Sequence, residues 1–419
     1  MTAESALRAS YDALLLDLDG TLYRGRDAVP GAVDALRGGS RLLYVTNNAS
    51  RSPGDVAAHL AELGFDASES DVVTSSQAAA RLLQDRLAPD DVVLVVGTEA
   101  LADEVRAVGL RPTRDAHDHP RAVVQGHSTE TAWPILAEAV YAIGAGALWV
   151  AANTDTTLPT ERGFAPGNGA MVAAVRAATG TEPLVAGKPA APLLEDALQR
   201  CGSRNALVVG DRLDTDIAGA NQVGLESLLV LTGVSTADDL FRAQPHERPT
   251  YVALSLDALN APASVSRVDA VGDWDVAVDG TDLVLAGNGD ANAALRAVAR
   301  AAWQLPEFGN LRGADDNADD SADDRPADRA KAADDDHQRR ADGEARQYAL
   351  DHPDSTPEHT GLFPEWVAEA ARTNADALTE LTEPAEPAPA SEASGTGRQW
   401  ISVVFLQGEE ADQVLDVID

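Results

Sequence analysis

Seven short runs of branched apolar residues, separated by stretches with helical patterning, are the feature that most constrains the fold of this chain. None of the runs alternates apolar with polar residues, which is typical of parallel strands buried on both faces. The predicted strands are residues 12–18, 41–47, 91–97, 121–126, 147–153, 205–211 and 227–233. Helical segments such as 53–64 and 191–202 lie between them, and Gly202 is a typical helix stop. The sequence therefore predicts an α/β fold with a doubly wound, Rossmann-like parallel sheet.

The pattern changes after Asn260. Residues 274–287 alternate in polarity around an Asp-Gly pair, which predicts a hairpin, and residues 290–305 predict a helix. A second helix is predicted over 363–381 and a strand over 399–407. These elements are sufficient for a small α/β module that follows the main sheet.

Two acid-rich or proline-rich segments interrupt this module. Residues 312–357 and 382–397 contain too few apolar residues to form a core, and we predict that they are disordered linkers. The C-terminal accessory module is therefore assigned to residues 261–311 and 358–419.

The charge balance of the sequence argues against two classes of partner. With 68 acidic and 32 basic residues, the formal net charge is −36. Nucleic acids and anionic membranes bind cationic faces, so neither is an expected partner. A small phosphorylated metabolite stays possible, because one local site can be cationic on an acidic protein.

The remaining compositional features indicate a cytoplasmic protein. Cys201 is the single cysteine of the sequence, so an intrachain disulfide is ruled out. The N-terminus lacks the basic and apolar regions of a signal peptide. The longest apolar run, residues 139–152, is too short and too rich in glycine to span a bilayer, and we expect no membrane insertion.

Polar residues lie at the carboxyl ends of the first two predicted strands. Asp17 and Asp19 are two positions apart where the first strand ends, so both can point towards one pocket. Thr46 and Asn47 are at the carboxyl end of the second strand, where a hydroxyl, an amide and free backbone N–H groups can form an anion site. Ligands of doubly wound sheets bind at these carboxyl ends. Ordinary turn and cap roles are the competing interpretation.

Lys188 is unusual because this sequence uses arginine almost everywhere else. The chain has two lysines, and the other, Lys331, lies in the acidic linker. A lysine between Gly187 and Pro189 supplies a compact point charge, which can contact a phosphate oxygen and an aspartate together; the wide fork of arginine does not fit the same space. A surface lysine is the alternative.

A third acidic group follows the sixth predicted strand. Asp211 is the last residue of the run 205–211, and Asp214 and Asp216 follow it. A few carboxylate ligands, completed by water and phosphate oxygens, describe a Mg²⁺ site. The alternative is that these acids form an ordinary acidic helix N-terminus, and for Asp214 that role alone accounts for the residue.

Together these residues supply the parts of a phosphoryl-transfer site. A carboxylate nucleophile, a second carboxylate for proton transfer, Mg²⁺, a hydroxyl-amide cradle and one lysine are all present. Positive charge is essential there, because an anionic nucleophile must approach an anionic phosphate.

In their order and spacing, the segments DLDGT, VTNN, GKP and GDxxxxD resemble the motifs of the haloacid dehalogenase superfamily. The lengths between them are similar to those of the NagD-like subfamily, and residues 10–260 are most similar to its actinobacterial glycerol-3-phosphate phosphatases. The resemblance implies that Asp17 becomes phosphorylated and that Asp19 is first acid and then base. It implies phosphate binding by Thr46, Asn47 and Lys188. It also implies that Mg²⁺ is held by Asp17, the Asp19 carbonyl and Asp211, with Asp216 behind them.

The resemblance also sets the domain boundaries. It implies a catalytic core over 8–79 and 183–260 and an inserted α/β cap over 80–182 that excludes water and selects the leaving group. Candidate substrate contacts are Asn48 and Arg51, and the cap is a possible homo-oligomer interface. The C-terminal extension of these relatives is similar to an acetyltransferase fragment, but the sequence here has no glycine-rich pyrophosphate loop, which argues against acyl-CoA chemistry.

Several functions stay open at this stage. Glycerol 3-phosphate is the leading substrate, and 2-phosphoglycolate, a nucleoside monophosphate, a sugar phosphate and 4-nitrophenyl phosphate are alternatives. A phospho-acceptor signalling domain uses a similar residue set, but Asp19 would release the phosphate that such a domain retains. A scaffold with a vestigial site is disfavoured by the intact motifs.

Overall fold

The computed structural model of the chain describes residues 5–160, 163–270, 274–287, 290–313, 403–404 and 414–415. The strands are, in chain order, β1 (Ala13–Leu16), β2 (Tyr23–Arg24), β3 (Asp27–Ala28), β4 (Arg41–Thr46), β5 (Val72–Thr74), β6 (Val92–Val96), β7 (Arg111–Thr113), β8 (Ala122–Gln125), β9 (Leu148–Ala151), β10 (Thr157–Thr160), β11 (Gly163–Pro166), β12 (Leu184–Val185), β13 (Ala206–Gly210), β14 (Glu226–Val230), β15 (Tyr251–Ala253), β16 (Trp274–Asp279), β17 (Asp282–Gly287), β18 (Leu311–Gly313), β19 (Val403–Val404) and β20 (Val414–Leu415).

The helices cover the faces of the sheets. They are α1 (Ala32–Leu36), α2 (Pro53–Glu62), α3 (Ser75–Gln84), α4 (Glu99–Ala107), α5 (Trp133–Gly144), α6 (Asn168–Thr179), α7 (Ala191–Cys201), α8 (Ala218–Val223), α9 (Ala237–Arg242), α10 (Ala263–Ser266) and α11 (Ala291–Ala302). Short 3₁₀ turns lie at Leu7–Ser10, Glu69–Asp71, Ala116–Asp118, Pro245–Glu247 and Leu256–Asn260, and a π-helical turn at Leu213–Ile217. The predicted helices 53–64 and 191–202 correspond to α2 and α7, and Gly202 ends α7 in the left-handed conformation (φ 70°).

The main sheet has six parallel strands in the order β15-β14-β13-β1-β4-β5. Its strands are buried except at the first residues of β4 and β14, which explains their unalternating apolar sequences. In register, Leu16 at the end of β1 pairs with Val209 on one side and with Tyr44 on the other. The carboxyl ends of β1, β4 and β13 are therefore level, and the polar residues that follow them share one edge. Four predicted strands lie in this sheet.

A second sheet lies mostly in the predicted cap, residues 80–182, and is called the cap sheet below. It has five parallel strands in the order β12-β9-β8-β6-β7 and contains the other three predicted strands. Its last strand, β12, pairs with β9 through Leu184 and Val185. These two residues complete the sheet and lie just after the predicted cap boundary at residue 182. Cap and core share one apolar cluster, in which Val95 and Val124 of the cap join Leu15 and Val45 of the core.

The accessory module begins with the predicted hairpin. Strands β16 and β17 pair antiparallel, Asp279 opposes Asp282, and Gly280 turns the chain at φ 67°. Strand β18 pairs parallel with β17. The module therefore extends to Gly313, two residues into the linker predicted over 312–357. Helix α11 confirms the helix predicted over 290–305. Its apolar face joins a cluster that also contains residues of the main domain: Leu213, Ile217, Leu240 and Phe241.

Most of the remaining C-terminal predictions lie outside the described residues. These are the acidic linker beyond Gly313, the helix over 363–381 and the linker 382–397. Of the strand predicted over 399–407, the structure describes Val403–Val404, which form β19. Among the described residues, no helix is long and apolar enough to cross a membrane.

Candidate active site

The site lies where the level strand ends of the main sheet meet. Asp17 follows β1, and its backbone N–H donates to the Val209 carbonyl of β13 at 2.8 Å. Gly20 then turns the chain with φ 83°, a conformation that glycine adopts without strain. Thr46 ends β4 and Asp211 follows β13, so the predicted residues from three motifs converge as the sequence indicates.

Lys188 is at the centre of this convergence. Its Nζ lies 2.5 Å from Oδ1 of Asp17, 2.7 Å from Oδ1 of Asp216 and 3.1 Å from the Val45 carbonyl. Its side chain is 3% exposed. Burial alone would lower the pKa of Lys188, but the two carboxylates outweigh it and raise the pKa above its usual range. The lysine is therefore a permanent buried cation beside the predicted nucleophile.

Three carboxylates surround a space suited to a divalent cation. Asp17, Asp211 and Asp216 each offer an oxygen, and these oxygens lie within 4.8 Å of one another. Burial, followed by the charge of Asp216, raises the pKa of Asp17 well above its usual value. The same two causes raise the pKa of Asp211 to about 7. The Lys188 ammonium pairs with two of these three acids, so the cluster lacks positive charge, and its oxygen donors are of the kind that Mg²⁺ takes.

The predicted positions of the acids differ in one respect from those observed. Asp216, expected behind the metal ligands, pairs with Lys188 and also contributes an oxygen to the cluster. It lies in the π-helical turn, a distortion that is frequent at functional sites. Asp214 instead forms an exposed ion pair with Arg212 at 2.8 Å, in agreement with the alternative interpretation.

A loop that sequence reasoning missed holds Asp211. The backbone N–H of Val234 donates to Asp211 Oδ2 at 2.7 Å, and the Thr21 hydroxyl donates to Oδ1 at 3.2 Å. A Cβ at Gly233 would lie 1.9 Å from Oδ2, so this glycine is required by close approach. The signal was the Gly233 that ends the predicted strand 227–233.

Asp19 is not part of this carboxylate cluster and lies near Arg51, His59 and Tyr23. Burial raises the pKa of its carboxyl, while the nearby charges of Arg51 and His59 act in the opposite direction. The Tyr23 hydroxyl lies 3.5 Å from Oδ2, and its ring packs edge-on against His59. Arg51 and His59 line an adjacent cleft of about 400 Å³. Tyr23 and His59 were not identified from the sequence.

The second motif is only partly as predicted. Thr46 is buried and accepts the Asn48 N–H at 3.1 Å, which leaves its own proton free to donate. The amide nitrogen of Asn47 donates to the Lys188 carbonyl at 3.0 Å and to Asp155 at 3.3 Å. Both of its side-chain N–H donors are thereby used, so the side chain of Asn47 has no N–H left for the predicted phosphate contact. Asn48 caps the following turn by accepting from Ser50.

Comparison with known proteins identifies the class. A family model for haloacid dehalogenase-like hydrolases matches residues 14–111, and a second model of the same kind matches residues 185–259. The chain belongs to the haloacid dehalogenase-like hydrolases, and within them to the phosphatases.

The relatives are named more narrowly. The chain is 55% identical over 309 residues to D-glycerol 3-phosphate phosphatase of Mycobacterium tuberculosis, covering 71% of this chain and 88% of that one. A crystal structure of the glycerol phosphate phosphatase of the same organism in complex with magnesium has a TM-score of 0.72 and 52% identity, covering 79% and 98% of the two chains. NagD of Escherichia coli has a TM-score of 0.55 and 33% identity, covering 59% and 98%.

The accessory module has its own match. A model for a GCN5-related N-acetyltransferase like domain matches residues 271–324. This agrees with the acetyltransferase resemblance of the C-terminal extension.

Proposed function

We propose that the chain is a Mg²⁺-dependent phosphatase that converts glycerol 3-phosphate and water to glycerol and phosphate. The observation that carries the chemistry is the contact of the Lys188 ammonium with Asp17. Asp211 lies in the same carboxylate cluster as Asp17, and Asp19 is two residues further along the chain. The substrate is supported by the identity of 55% to D-glycerol 3-phosphate phosphatase of Mycobacterium tuberculosis.

Asp17 is the proposed nucleophile. Lys188 holds one of its carboxylate oxygens, and an oxygen of Asp17 attacks phosphorus to form a phosphoaspartate while the bond to the glycerol oxygen breaks. The ammonium reduces the repulsion between the carboxylate and the phosphate dianion. Asp17, Asp211 and the Asp19 carbonyl would hold Mg²⁺, which supplies further positive charge to the phosphate oxygens. The hydroxyl of Thr46, which accepts the Asn48 N–H, would donate its proton to one of those oxygens.

Asp19 is the proposed proton carrier. Because burial raises its pKa, it keeps a proton at a higher pH than a free aspartate and can give that proton to the departing glycerol oxygen. As a carboxylate it then takes a proton from the water that attacks the phosphoaspartate. Phosphate leaves, and Asp17 and Asp19 return to their starting states.

A phosphate-release assay over a substrate panel tests this function. The panel contains glycerol 3-phosphate, 2-phosphoglycolate, a nucleoside monophosphate, a sugar phosphate and 4-nitrophenyl phosphate, each with Mg²⁺ or with a chelator. We expect the highest kcat/KM for glycerol 3-phosphate and no release by Asp17→Asn. Release that survives Asp17→Asn would exclude the nucleophile, and a better alternative substrate would replace glycerol 3-phosphate. A stable phosphoprotein without turnover would favour the signalling class.

The proposed oligomer interface is the outer face of α5 in the cap. Trp133 is 76% exposed there, and Tyr141 is 59% exposed. Large aromatic side chains exposed on one helix support a contact between two copies. Sedimentation of Trp133→Glu beside the wild type tests this, and a monomeric wild type would refute it. The cytoplasmic location stays a prediction from the sequence.

A further inference from the structure

The peptide unit of Lys188 is bracketed by the side chain of Asn47. The backbone N–H of Lys188 donates to Asn47 Oδ1 at 2.8 Å, and its carbonyl accepts from Nδ2 at 3.0 Å. A Cβ at Gly187 would lie 2.7 Å from the same Oδ1, so the chain there must approach Asn47 closely. Two hydrogen bonds to one residue fix the position from which its side chain extends, and for Lys188 that side chain reaches Asp17.

Asn47 is in turn held by residues of the cap. Its Nδ2 donates to both carboxylate oxygens of Asp155, each at 3.3 Å. Its carbonyl accepts from the Asn153 side chain at 2.7 Å. Through these hydrogen bonds the cap loop 153–155 contacts Asn47, the core residue that brackets Lys188.

The loop is built to hold this position. The buried side chain of Asn168, at the start of α6, donates to the Asn153 carbonyl at 2.7 Å. A Cβ at Gly167 would lie 2.3 Å from the Asp155 carbonyl, and one at Gly169 would lie 2.1 Å from the Thr154 carbonyl. Such close packing leaves the loop little freedom to shift, so the carboxylate of Asp155 is presented to Asn47 in a defined geometry.

We propose that Asp155 is a positioning residue for Lys188 and acts through Asn47. The cap then contributes to the chemical step itself, independently of which leaving group it admits. This inference rests on the hydrolase chemistry proposed above but not on glycerol 3-phosphate as the substrate.

The first experiment compares Asp155→Ala and Asp155→Asn on 4-nitrophenyl phosphate and glycerol 3-phosphate. Losing the hydrogen bonds to Asn47 should lower kcat about tenfold for both substrates with little change in KM, since about 1–2 kcal/mol of positioning is removed. The conservative Asp155→Asn keeps an acceptor oxygen and should recover most of the rate. Asp103→Ala, an exposed aspartate on cap helix α4, is the matched control.

The outcomes separate the inference from the proposed substrate. A loss confined to the KM of glycerol 3-phosphate would make Asp155 a substrate contact, and an unchanged kcat in Asp155→Ala would also overturn the inference. If the wild type hydrolyses 4-nitrophenyl phosphate but not glycerol 3-phosphate, the proposed substrate fails while the positioning test still stands.

A paired substitution tests the contact directly and guards against misfolding. Asn47→Asp alone brings two carboxylates face to face and removes the donor to the Lys188 carbonyl, so kcat should fall about 100-fold. Adding Asp155→Asn restores a donor–acceptor pair and should recover about tenfold of that loss. Purely additive losses in the double variant would refute a direct Asn47–Asp155 coupling. Thermal unfolding of each variant verifies that it is folded.

Discussion

The ammonium of Lys188 lies 2.5 Å from Asp17 and 2.7 Å from Asp216, so one buried cation is shared by two acids of the candidate site. Its third contact, the Val45 carbonyl at 3.1 Å, leaves little space for a larger group. The size of this cation, and not only its charge, is therefore part of the site.

Lys188→Arg should keep the charge but lose most of the turnover. The guanidinium is planar and wide and cannot make the same three contacts. We expect kcat to fall by about 100-fold or more, with circular dichroism and the unfolding temperature close to those of the wild type. The exchange Arg106→Lys, at an exposed arginine of the cap, is the control. Near-normal turnover in Lys188→Arg would show that charge alone is sufficient.

Gly233→Ala should weaken metal binding without touching a ligand. The added Cβ would lie 1.9 Å from Asp211 Oδ2, so the carboxylate or the loop must move. Calorimetric titration with Mg²⁺ should show about tenfold weaker binding or more, since a small misplacement of one ligand is costly. Gly39→Ala, where nothing lies within 4 Å of the added carbon, should bind as the wild type does. Equal affinities for the two variants would contradict this account of Gly233.

Asp19→Asn should separate substrates by their leaving groups. An alkoxide such as that of glycerol needs the proton that Asp19 supplies, whereas 4-nitrophenolate leaves without one. Burst kinetics should therefore show phosphoaspartate formation from glycerol 3-phosphate falling by about 100-fold or more, and from 4-nitrophenyl phosphate far less. Equal losses in this first step would mean that Asp19 does not act as a general acid.

The metal-free protein should become less stable as the pH rises from about 4 to about 7. In that window folded Asp211, whose pKa is raised from 3.8 to about 7, binds more protons than the unfolded chain. Stability falls with pH wherever the folded state holds the extra proton. Mg²⁺ requires the carboxylate, so its stabilising effect should be larger at pH 8 than at pH 5.5. Thermal unfolding at both pH values, with Mg²⁺ and with a chelator, measures this, and Asp211→Asn should remove much of the difference. A metal effect that does not depend on pH would oppose this assignment.

The sequence was sufficient for the seven strands it predicted because continuous apolar runs of this length are characteristic of strands buried on both faces. It missed β5 and β15, which are three residues long and lie at the two edges of the main sheet. So short an element carries too few residues to show a period. Strand β12 is shorter still, and its place in the cap sheet depends on its partner β9.

The candidate site was predictable for those residues whose type and place at a strand end or in a fixed loop indicate their chemistry. Asp17, Lys188 and Asp211 converge as expected, since each follows a strand end or a fixed loop. The side-chain role of Asn47 was not predictable, because its partners Asp155 and Lys188 are 108 and 141 positions away. Local spacing carries no information about such contacts.

The π-helical turn that contains Asp216 packs against the accessory module. Leu213 and Ile217, on either side of that acid, are buried in the same apolar cluster as Leu285, Val298 and Phe308. Ending the chain at residue 260, where the main sheet is complete, would therefore remove the covering of this turn and expose the apolar side chains of Leu213 and Ile217 to water beside Asp216. The smallest fragment worth expressing extends through Gly313, and shorter versions should be judged by whether they still bind magnesium.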